Sequence, residues 1–452
     1  MTPLIAAAAI VAADAAPVRP AILYNRWQED WSVLADPALR TDPLDGLKYI
    51  PLAEAEQKVW LTLGGGVRER VEANNAPLFG TTPGRADAYD ISRMEAFADL
   101  HAGPLQTFVE LQSDFAPDKR YLTPADSDRL DIEQAFVALV TPTDLGTFKV
   151  RLGRQQFAFD LQRFVSARDG PNVRQSFDAV WGDYEGGPWR LIGYWSQPVV
   201  NRDDKPFDDY SSGHNQFYGL RIERHVLGTN ELSAYWSRFT NDAASFLDAK
   251  GHEQRDVWDV RFAGKRGPVD WDTEVMDQTG HVADDQIRAW ALGSRAGFTF
   301  ASAWTPRLGL QFDAASGDRR PGDGVIGTFN PLFPNGNYVT LAGYTGYVNF
   351  VHLKPSVTVR PIAALTLMLA GAAQWRMTTA DAVYTQPNIP VPRTAGVGGR
   401  WTGAYGQVRA DWQATPHLSL AVEAVRFTIG ETLRQAGGHD ANYLGTEIKY
   451  GW

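Results

Sequence analysis

The sequence has no cysteine and almost no long apolar run, and each absence excludes a class of protein. Without cysteine there are no disulfides, no thiolate metal sites and no cysteine nucleophile. Apart from a short N-terminal stretch, no run approaches the roughly 18 apolar residues that a membrane-spanning helix requires. Basic residues are also in deficit, because 43 Lys and Arg against 53 Asp and Glu leave a net charge of -10, which argues against nucleic-acid binding.

Catalytic motifs are missing as well. The eight histidines are scattered without an H-E-x-x-H motif, and no G-x-S-x-G motif or phosphate-binding loop is present. Facing carboxylates such as Asp259 and Glu274 could imitate the pair of a glycosidase, but charges that line a pore are the commoner explanation. We therefore predict that the protein is not an enzyme and has no resident metal or cofactor.

What the sequence does contain is alternation with a period of two. In the C-terminal segment, apolar residues and charged residues have opposite parity, with Leu444, Ile448, Tyr450 and Trp452 on one face and Glu447 and Lys449 on the other. A period of two places one face of a strand against an apolar medium and the other against a polar one. A last strand that ends on an aromatic residue is typical of a bacterial outer-membrane barrel.

The same alternation begins at residue 59 and recurs to the end of the chain. Val67 and Val71, for example, oppose Arg68 and Arg70. The faces of 128–140 and 286–300 show no clear phase. No internal repeat is present, which disfavours a propeller or a β-helix.

Short turns alternate with longer polar loops between these segments. The long loops are predicted near 73–89, 116–128, 157–174, 197–214, 239–253, 279–286, 315–346, 378–399 and 430–441. We therefore predict an all-β fold, a single transmembrane antiparallel β-barrel of about 18 strands with short periplasmic turns and long extracellular loops. Closure is expected because lipid offers a free strand edge no hydrogen-bond partner.

Three regions are predicted along the chain. Residues 1–16 have an apolar stretch followed by an Ala-Asp-Ala site and are interpreted as a signal peptide. Residues 17–58 lack sustained periodicity and are expected to form a periplasmic N-terminal lead-in. Residues 59–452 are expected to form the barrel, located in the bacterial outer membrane and in contact with its lipid.

Several short stretches resemble the alginate-export family of outer-membrane barrels. They are Glu29-Asp30-Trp31, Gly64-Gly65 with Arg68-Glu69-Arg70, Gly153-Arg154-Gln155, Phe177-Asp178-Ala179-Val180, Ser316-Gly317-Asp318, Thr328-Phe329-Asn330-Pro331-Leu332-Phe333-Pro334 and Trp375-Arg376. The resemblance runs from about residue 24 to the C-terminus. It implies an eighteen-stranded barrel through which an anionic polysaccharide leaves the periplasm along an arginine-rich lumen. Periplasmic export machinery is then a partner to expect.

The charged parity supplies the candidate lumen residues. A guanidinium presents a planar fork of donors that matches a carboxylate, and it stays charged near neutral pH. The candidate arginines for solute binding are Arg68, Arg70, Arg93, Arg151, Arg154, Arg221, Arg255, Arg261, Arg307, Arg376 and Arg409. Acidic residues with the same parity are Glu72, Glu95, Asp99, Glu110, Glu223, Asp259, Asp313 and Asp411. These acids and arginines form either a mixed, mildly selective pathway or ladders that only brace the wall.

Two of the predicted loops each allow two interpretations. The loop Ser316–Tyr338 contains Phe329, Leu332 and Phe333, so it either folds into the barrel mouth or caps the barrel from outside. Residues 201–209 contain enough carboxylates to hold calcium, but their spacing does not match an EF-hand, and a solvated loop is favoured.

The function predicted from these features is passive export of an anionic, alginate-like polysaccharide through the lumen. The alternative within transport is a substrate-specific porin that takes up small acidic or sugar solutes. The alternative from another class is a barrel enzyme that acts on lipid or polysaccharide. A monomer is expected, because a closed barrel needs no neighbour.

Overall fold

The computed structural model describes residues 19–53, 58–82, 86–226 and 230–452. The predicted signal peptide lies outside the described residues. In the described part of the chain, eighteen long strands form the barrel. They are β1 Val59–Asn74, β2 Asp87–Ala102, β3 Leu105–Phe115, β4 Asp128–Thr143, β5 Gly146–Gln155, β6 Phe177–Gly186, β7 Trp189–Val200, β8 Asn215–Val226, β9 Asn230–Ser245, β10 Lys250–Arg266, β11 Val269–Val282, β12 Asp285–Thr299, β13 Arg307–Ala315, β14 Phe350–Ile362, β15 Leu365–Arg376, β16 Trp401–Gln413, β17 Leu418–Ile429 and β18 Ala441–Gly451.

Each barrel strand pairs antiparallel with its neighbours, and the first strand pairs with the last. The register of β1 and β18 runs from Gly66 opposite Gly451 to Asn74 opposite Tyr443. No barrel edge is therefore left without a hydrogen-bond partner, as a membrane sheet requires. The prediction of a closed barrel of about 18 strands is confirmed.

The remaining regular elements of the described residues are short and are not among the eighteen strands of the barrel wall. The α-helices are α1 Asp45–Lys48 and α2 Glu431–Gln435, and the 3-10 turns are Arg26–Gln28, Trp31–Ala35, Pro37–Leu39 and Pro77–Gly80. Two-residue strand segments occur at Ile50–Pro51, Tyr210–Ser211, Val325–Ile326, Tyr384–Thr385 and Ile389–Pro390. Among the described residues, no helix combines the length and the apolar content needed to cross a bilayer.

The two faces of the strands differ as the alternation predicts. On β8, Leu220 is 64% exposed and points outward, whereas Arg221 is 4% exposed and points into the lumen. Val260 and Leu308 likewise lie on the outer surface of β10 and β13, and Arg255 is buried inside. An apolar outer surface is what hydrocarbon requires, and the charges are thereby confined to the interior.

The unclear phase of 128–140 comes from a bulge in β4. Glu110 of β3 is opposite Gln134, but the next residue, Leu111, is opposite Ile132. Glu133 is therefore an extra residue, and both Glu133 and Gln134 are buried on the inner face. A bulge of this kind shifts the parity of a strand by one residue.

The unclear phase of 286–300 has a different cause. The inner positions of β12 include Ile287, Ala289, Ala291 and Gly293, all buried and none of them charged. Because a loop packs on this part of the wall, its inner face has small, apolar residues. The two faces of the strand then no longer differ in polarity.

Two of the predicted long loops are wrong. Strand β9 continues to Ser245 and β10 begins at Lys250, so the predicted loop at 239–253 is a short turn. Strands β11 and β12 are joined by Ala283 and Asp284 alone, so the predicted loop at 279–286 is a two-residue turn. The strands are longer than the ~9–11 residues that span lipid, and their polar ends extend beyond the membrane, where polarity no longer distinguishes strand from loop.

Residues 19–53 lie inside the end of the barrel that has the short turns, the periplasmic end. Arg26 donates hydrogen bonds to the carbonyl oxygens of Gly65 (3.2 Å) and Trp452 (2.6 Å), at the seam between the first and last strands. Trp27 packs edge-on against Phe136 of β4, with ring centroids 5.7 Å apart. We call residues 19–53 the N-terminal segment. It narrows the periplasmic end of the lumen.

Candidate functional site

A loop between β5 and β6, residues 156–176, crosses the lumen. Arg163 forms ion pairs with Asp272 (2.7 Å) and Glu274 (2.6 Å) of β11. Farther along the loop, Asp169 contacts Arg93 of β2 and Lys449 of β18. The 156–176 loop is therefore attached to two separated parts of the wall and divides the interior.

A second loop, residues 316–349, also folds into the barrel. Phe333 packs against Phe177 and Phe217, with ring centroids 4.9 and 5.4 Å apart, and Tyr344 Oη donates to Asn74 Oδ1 at 2.7 Å. Phe333 also exchanges backbone hydrogen bonds of 2.9 Å with the 156–176 loop. Of the two positions predicted for this loop, the structure shows the internal one, because its aromatic side chains are buried among aromatic residues of the wall.

Among the described residues, Asp169 is the carboxylate with the most cations within 4 Å. Arg93 lies 2.5 Å from it, Lys449 lies 3.3 Å from it, and Arg68 and Arg174 each lie 3.8 Å from it. Burial raises the pKa of Asp169, but the nearby Lys449, Arg93 and Arg68 outweigh burial, so the pKa is held below its usual range. We call Arg68, Arg93, Arg174 and Lys449 the carboxylate site, because four cations converge on one carboxylate.

The other predicted arginines are mostly paired with acids of the wall. Arg70 contacts Glu72 at 2.5 Å, and Arg409 contacts Asp411 at 2.8 Å. Both arginines also contact Glu423. Among strands β1, β16 and β17 the predicted charges therefore form a ladder.

A second ladder forms around Asp160 of the 156–176 loop. Arg221 and Arg261 approach this carboxylate to 2.6 and 2.8 Å. Arg221 also pairs with Glu223, and Arg261 pairs with Asp272, both at 2.6 Å. These arginines connect the 156–176 loop to the wall and also neutralise the charge of Asp160.

Five further predicted arginines are placed as follows. Three have carboxylate partners, namely Arg154 with Asp178 at 3.0 Å, Arg255 with Glu253 at 2.6 Å and Arg307 with Asp270 at 2.5 Å. Arg151 instead lies over the ring of Trp27, 4.3 Å from its centroid. Arg376 donates to backbone carbonyl oxygens, including those of Thr394 and Val397 at 2.6 Å, and so holds the loop that follows β15.

The predicted acids not yet placed have varied partners. Glu110 pairs with Arg174 at 2.9 Å, Glu95 pairs with Arg174 and lies 3.8 Å from Arg93, Asp99 contacts His101 at 3.1 Å, and Asp313 contacts His352 at 3.1 Å. Asp259 is 2% exposed, and neither of its oxygens has a hydrogen-bond partner. It lies beside Asp160 and Glu274 beneath the 156–176 loop.

Several residues of the site are absent from the sequence-based candidates. Asp160, Arg163, Asp169 and Arg174 all belong to the 156–176 loop, where no period of two marks an inward face. The available signal is composition, since this loop combines three arginines with three phenylalanines, Phe157, Phe159 and Phe164. Such a mixture is unusual for a solvated loop and indicates internal packing.

A closed barrel with an apolar outer surface, a charged lumen and inward-folded loops is the architecture of an outer-membrane channel. The sequence profile described as "Alginate export" matches residues 59–447, and the chain belongs to this family. The family and the fold together place the protein in the outer membrane. No curated protein matches the sequence.

The chain is similar in fold to solved outer-membrane barrels of Pseudomonas aeruginosa. OccK9 (OpdG) has a TM-score of 0.58 and 12% identity, with 86% of this chain and 98% of that chain covered. OccD3 (OpdP) has a TM-score of 0.58 and 11% identity, with 90% and 93% covered. OccK5 (OpdH) has a TM-score of 0.53 and 11% identity, with 86% and 97% covered. At these identities the likeness concerns the fold alone.

Proposed function

We propose that this channel exports an anionic, uronate-type polysaccharide and that the carboxylate site is the point where the polymer carboxylates bind. Membership of the alginate-export family supports the substrate class. The observation that carries the proposal is the carboxylate site, because Asp169 occupies it as a uronate carboxylate would. A polymer carboxylate would take over the contacts of Asp169 with Arg93 and Lys449.

The ladders make this pathway suitable for release as well as binding. Conduction requires sites that are attractive enough to enter and weak enough to leave. Because Arg70, Arg221, Arg261 and Arg409 already contact carboxylates of the protein, a passing carboxylate has to compete for them. Each step along the lumen then exchanges one ion pair for another, and the concentration gradient sets the direction.

The test is planar-bilayer conductance in a salt gradient, with oligouronate added on the periplasmic side. We expect wild-type channels to prefer anions and to be blocked by the oligouronate. Lys449→Glu should weaken the block about tenfold or more, because one charge-assisted contact contributes about 1.5–3 kcal/mol and 1.4 kcal/mol corresponds to a factor of ten. Arg288→Glu is the matched control, since it makes the same change of charge on the exposed outer face of β12.

A cation-selective wild-type channel would overturn the proposal, and so would equal block of Lys449→Glu and wild type. Permeation of small acids or sugars without block by oligouronate would favour an uptake porin. Turnover of polysaccharide by the purified protein, lost on replacing one carboxylate, would favour a barrel enzyme. The monomeric state and the periplasmic export machinery stay predictions.

A further inference from the structure

Three carboxylates meet at the extracellular end of the barrel, where Asp128 is two strands from Arg93 of the carboxylate site. Asp128 and Asp131 lie at the start of β4, and Asp209 lies in the loop between β7 and β8. Each contributes an oxygen, and these oxygens all lie within 4.8 Å of one another. Two separate elements thus place carboxylates close together, although these groups repel each other.

The charge of this cluster is not balanced by the protein. Asp128 is 4% exposed, and its Oδ1 is buried without a hydrogen-bond partner. Among the described residues, the cation paired with the cluster is Arg154, whose Nη1 lies 3.5 Å from Asp131 and which also pairs with Asp178 at 3.0 Å. A buried carboxylate without a partner is costly, so it takes up either a proton or a further cation.

The backbone orients the other two carboxylates toward the same point. Asp131 accepts hydrogen bonds from the N–H of Ile132 (2.7 Å) and the N–H of Asp209 (3.0 Å). Asp209 accepts one from the N–H of Arg202 at 2.7 Å. Each carboxylate oxygen has two lone pairs, so these bonds fix the side chains and still leave lone pairs for a cation.

We propose that Asp128, Asp131 and Asp209 bind a calcium ion. Carboxylate oxygens are the ligands that Ca²⁺ prefers, and its flexible coordination of six to eight oxygens allows water and carbonyl groups to complete the shell. The ion would fasten the loop between β7 and β8 to β4.

The second acidic cluster of the lumen provides a contrast. Asp160 lies next to Asp259 and Glu274, but Arg221 and Arg261 contact Asp160, and Arg163 contacts Glu274. Those guanidinium groups supply positive charge and repel a metal ion, so the calcium assignment applies to the Asp128 cluster alone.

The loop between β7 and β8 also contacts β4 through hydrogen bonds that do not involve the three carboxylates. Opening of the loop can therefore be compared with and without calcium. Asp203 accepts a hydrogen bond from the N–H of Arg129 at 3.1 Å, and Phe207 donates one to the carbonyl oxygen of Leu130 at 2.9 Å. Phe207 is 54% exposed, so chymotrypsin can cleave after it when the loop opens. Calcium should therefore slow cleavage after Phe207.

The test uses the full chain in detergent, freed of lipopolysaccharide and stripped with EDTA, and titrates it with CaCl₂ by calorimetry. We expect one saturable site per chain, with affinity reduced at least tenfold in Asp128→Asn and in Asp209→Asn. Asp204→Asn is the matched control, since it removes an exposed carboxylate of the same loop outside the cluster and should bind as wild type does.

Asp209→Asn changes only a loop, so it tests the site even if Asp128→Asn does not fold. In wild type, CaCl₂ should slow chymotryptic cleavage after Phe207 at least tenfold, and it should not do so in Asp209→Asn. The proposal is overturned if wild type shows no saturable binding, or if Asp209→Asn binds calcium and resists chymotrypsin as wild type does.

Discussion

Charged side chains in the lumen have two different roles. Most arginines are held by carboxylates of the same chain, as Arg70 is by Glu72, and such pairs both brace the wall and weaken its attraction for a solute. Among the described residues, Asp169 has four cations within 3.8 Å, whereas Asp160 and Glu423 each contact two arginines. We therefore expect a solute carboxylate to bind more strongly at the carboxylate site than at the ladders, although both contain arginines.

Gly293 tests at the residue scale whether the inward loops limit the flow of ions. A Cβ at Gly293 would lie 2.5 Å from Arg163 Nε and 2.8 Å from Tyr347 Oη. We expect Gly293→Val to displace the 156–176 loop, because overpacking costs about 1–3 kcal/mol, and to raise the single-channel conductance at least twofold. The control is Gly406→Val on the outer face of β16, where a Cβ meets nothing within 4 Å. Equal conductance of the two variants would contradict this role of the loop.

At the scale of elements, the N-terminal segment has a built-in response to pH. Lys48 of α1 is buried, with its Nζ 5.2 Å from the ring centroids of Trp31 and Phe97. Burial, together with repulsion from Arg26, lowers the pKa of Lys48 from 10.5 to about 7. The docked segment thus loses a proton that the released segment keeps.

Docking of the N-terminal segment should therefore strengthen as the pH rises from about 7 toward 10.5 and weaken as it falls toward 7. The expected change is up to about 1.4 kcal/mol per pH unit. Hydrogen exchange of residues 19–53, corrected for the intrinsic rate, measures it. Lys48→Met is the comparison, because it keeps the contact of Asp42 with His417 (2.6 Å) and removes only the titrating amine. The same pH dependence in both proteins would exclude Lys48 as the cause.

At the scale of the whole molecule, stability depends on the medium that each face meets. Leu220 lies in the middle of β8 on the lipid side, whereas Leu145 lies in a short turn and is 79% exposed. We expect Leu220→Arg to lower the free energy of unfolding in lipid vesicles by about 2–4 kcal/mol and Leu145→Arg to lower it by about 0–1 kcal/mol. Urea titration of the folded barrel measures both. Similar losses in the two variants would mean that the outer surface of β8 does not face hydrocarbon.

The alternation of residues such as Leu220 and Arg221 determined the barrel, its strand number and the side of each strand that faces lipid, because a period of two is a local property of the chain. Where tertiary packing interrupted that period, at the bulge of Glu133 and on the small inner face around Gly293, the sequence could not assign the faces. Strand ends outside the membrane were also misjudged, since polar residues there suit a strand and a loop equally well.

Only the tertiary structure decided which charges meet. Parity places Arg68, Arg93 and Lys449 inside the barrel, but their convergence on Asp169 depends on a loop that crosses from another part of the wall. The meeting of Asp128 with Asp209 depends in the same way on a loop that returns to a distant strand. A pattern along the chain specifies the direction of a side chain, whereas its partner is specified by the closure of the barrel and the packing of loops within it.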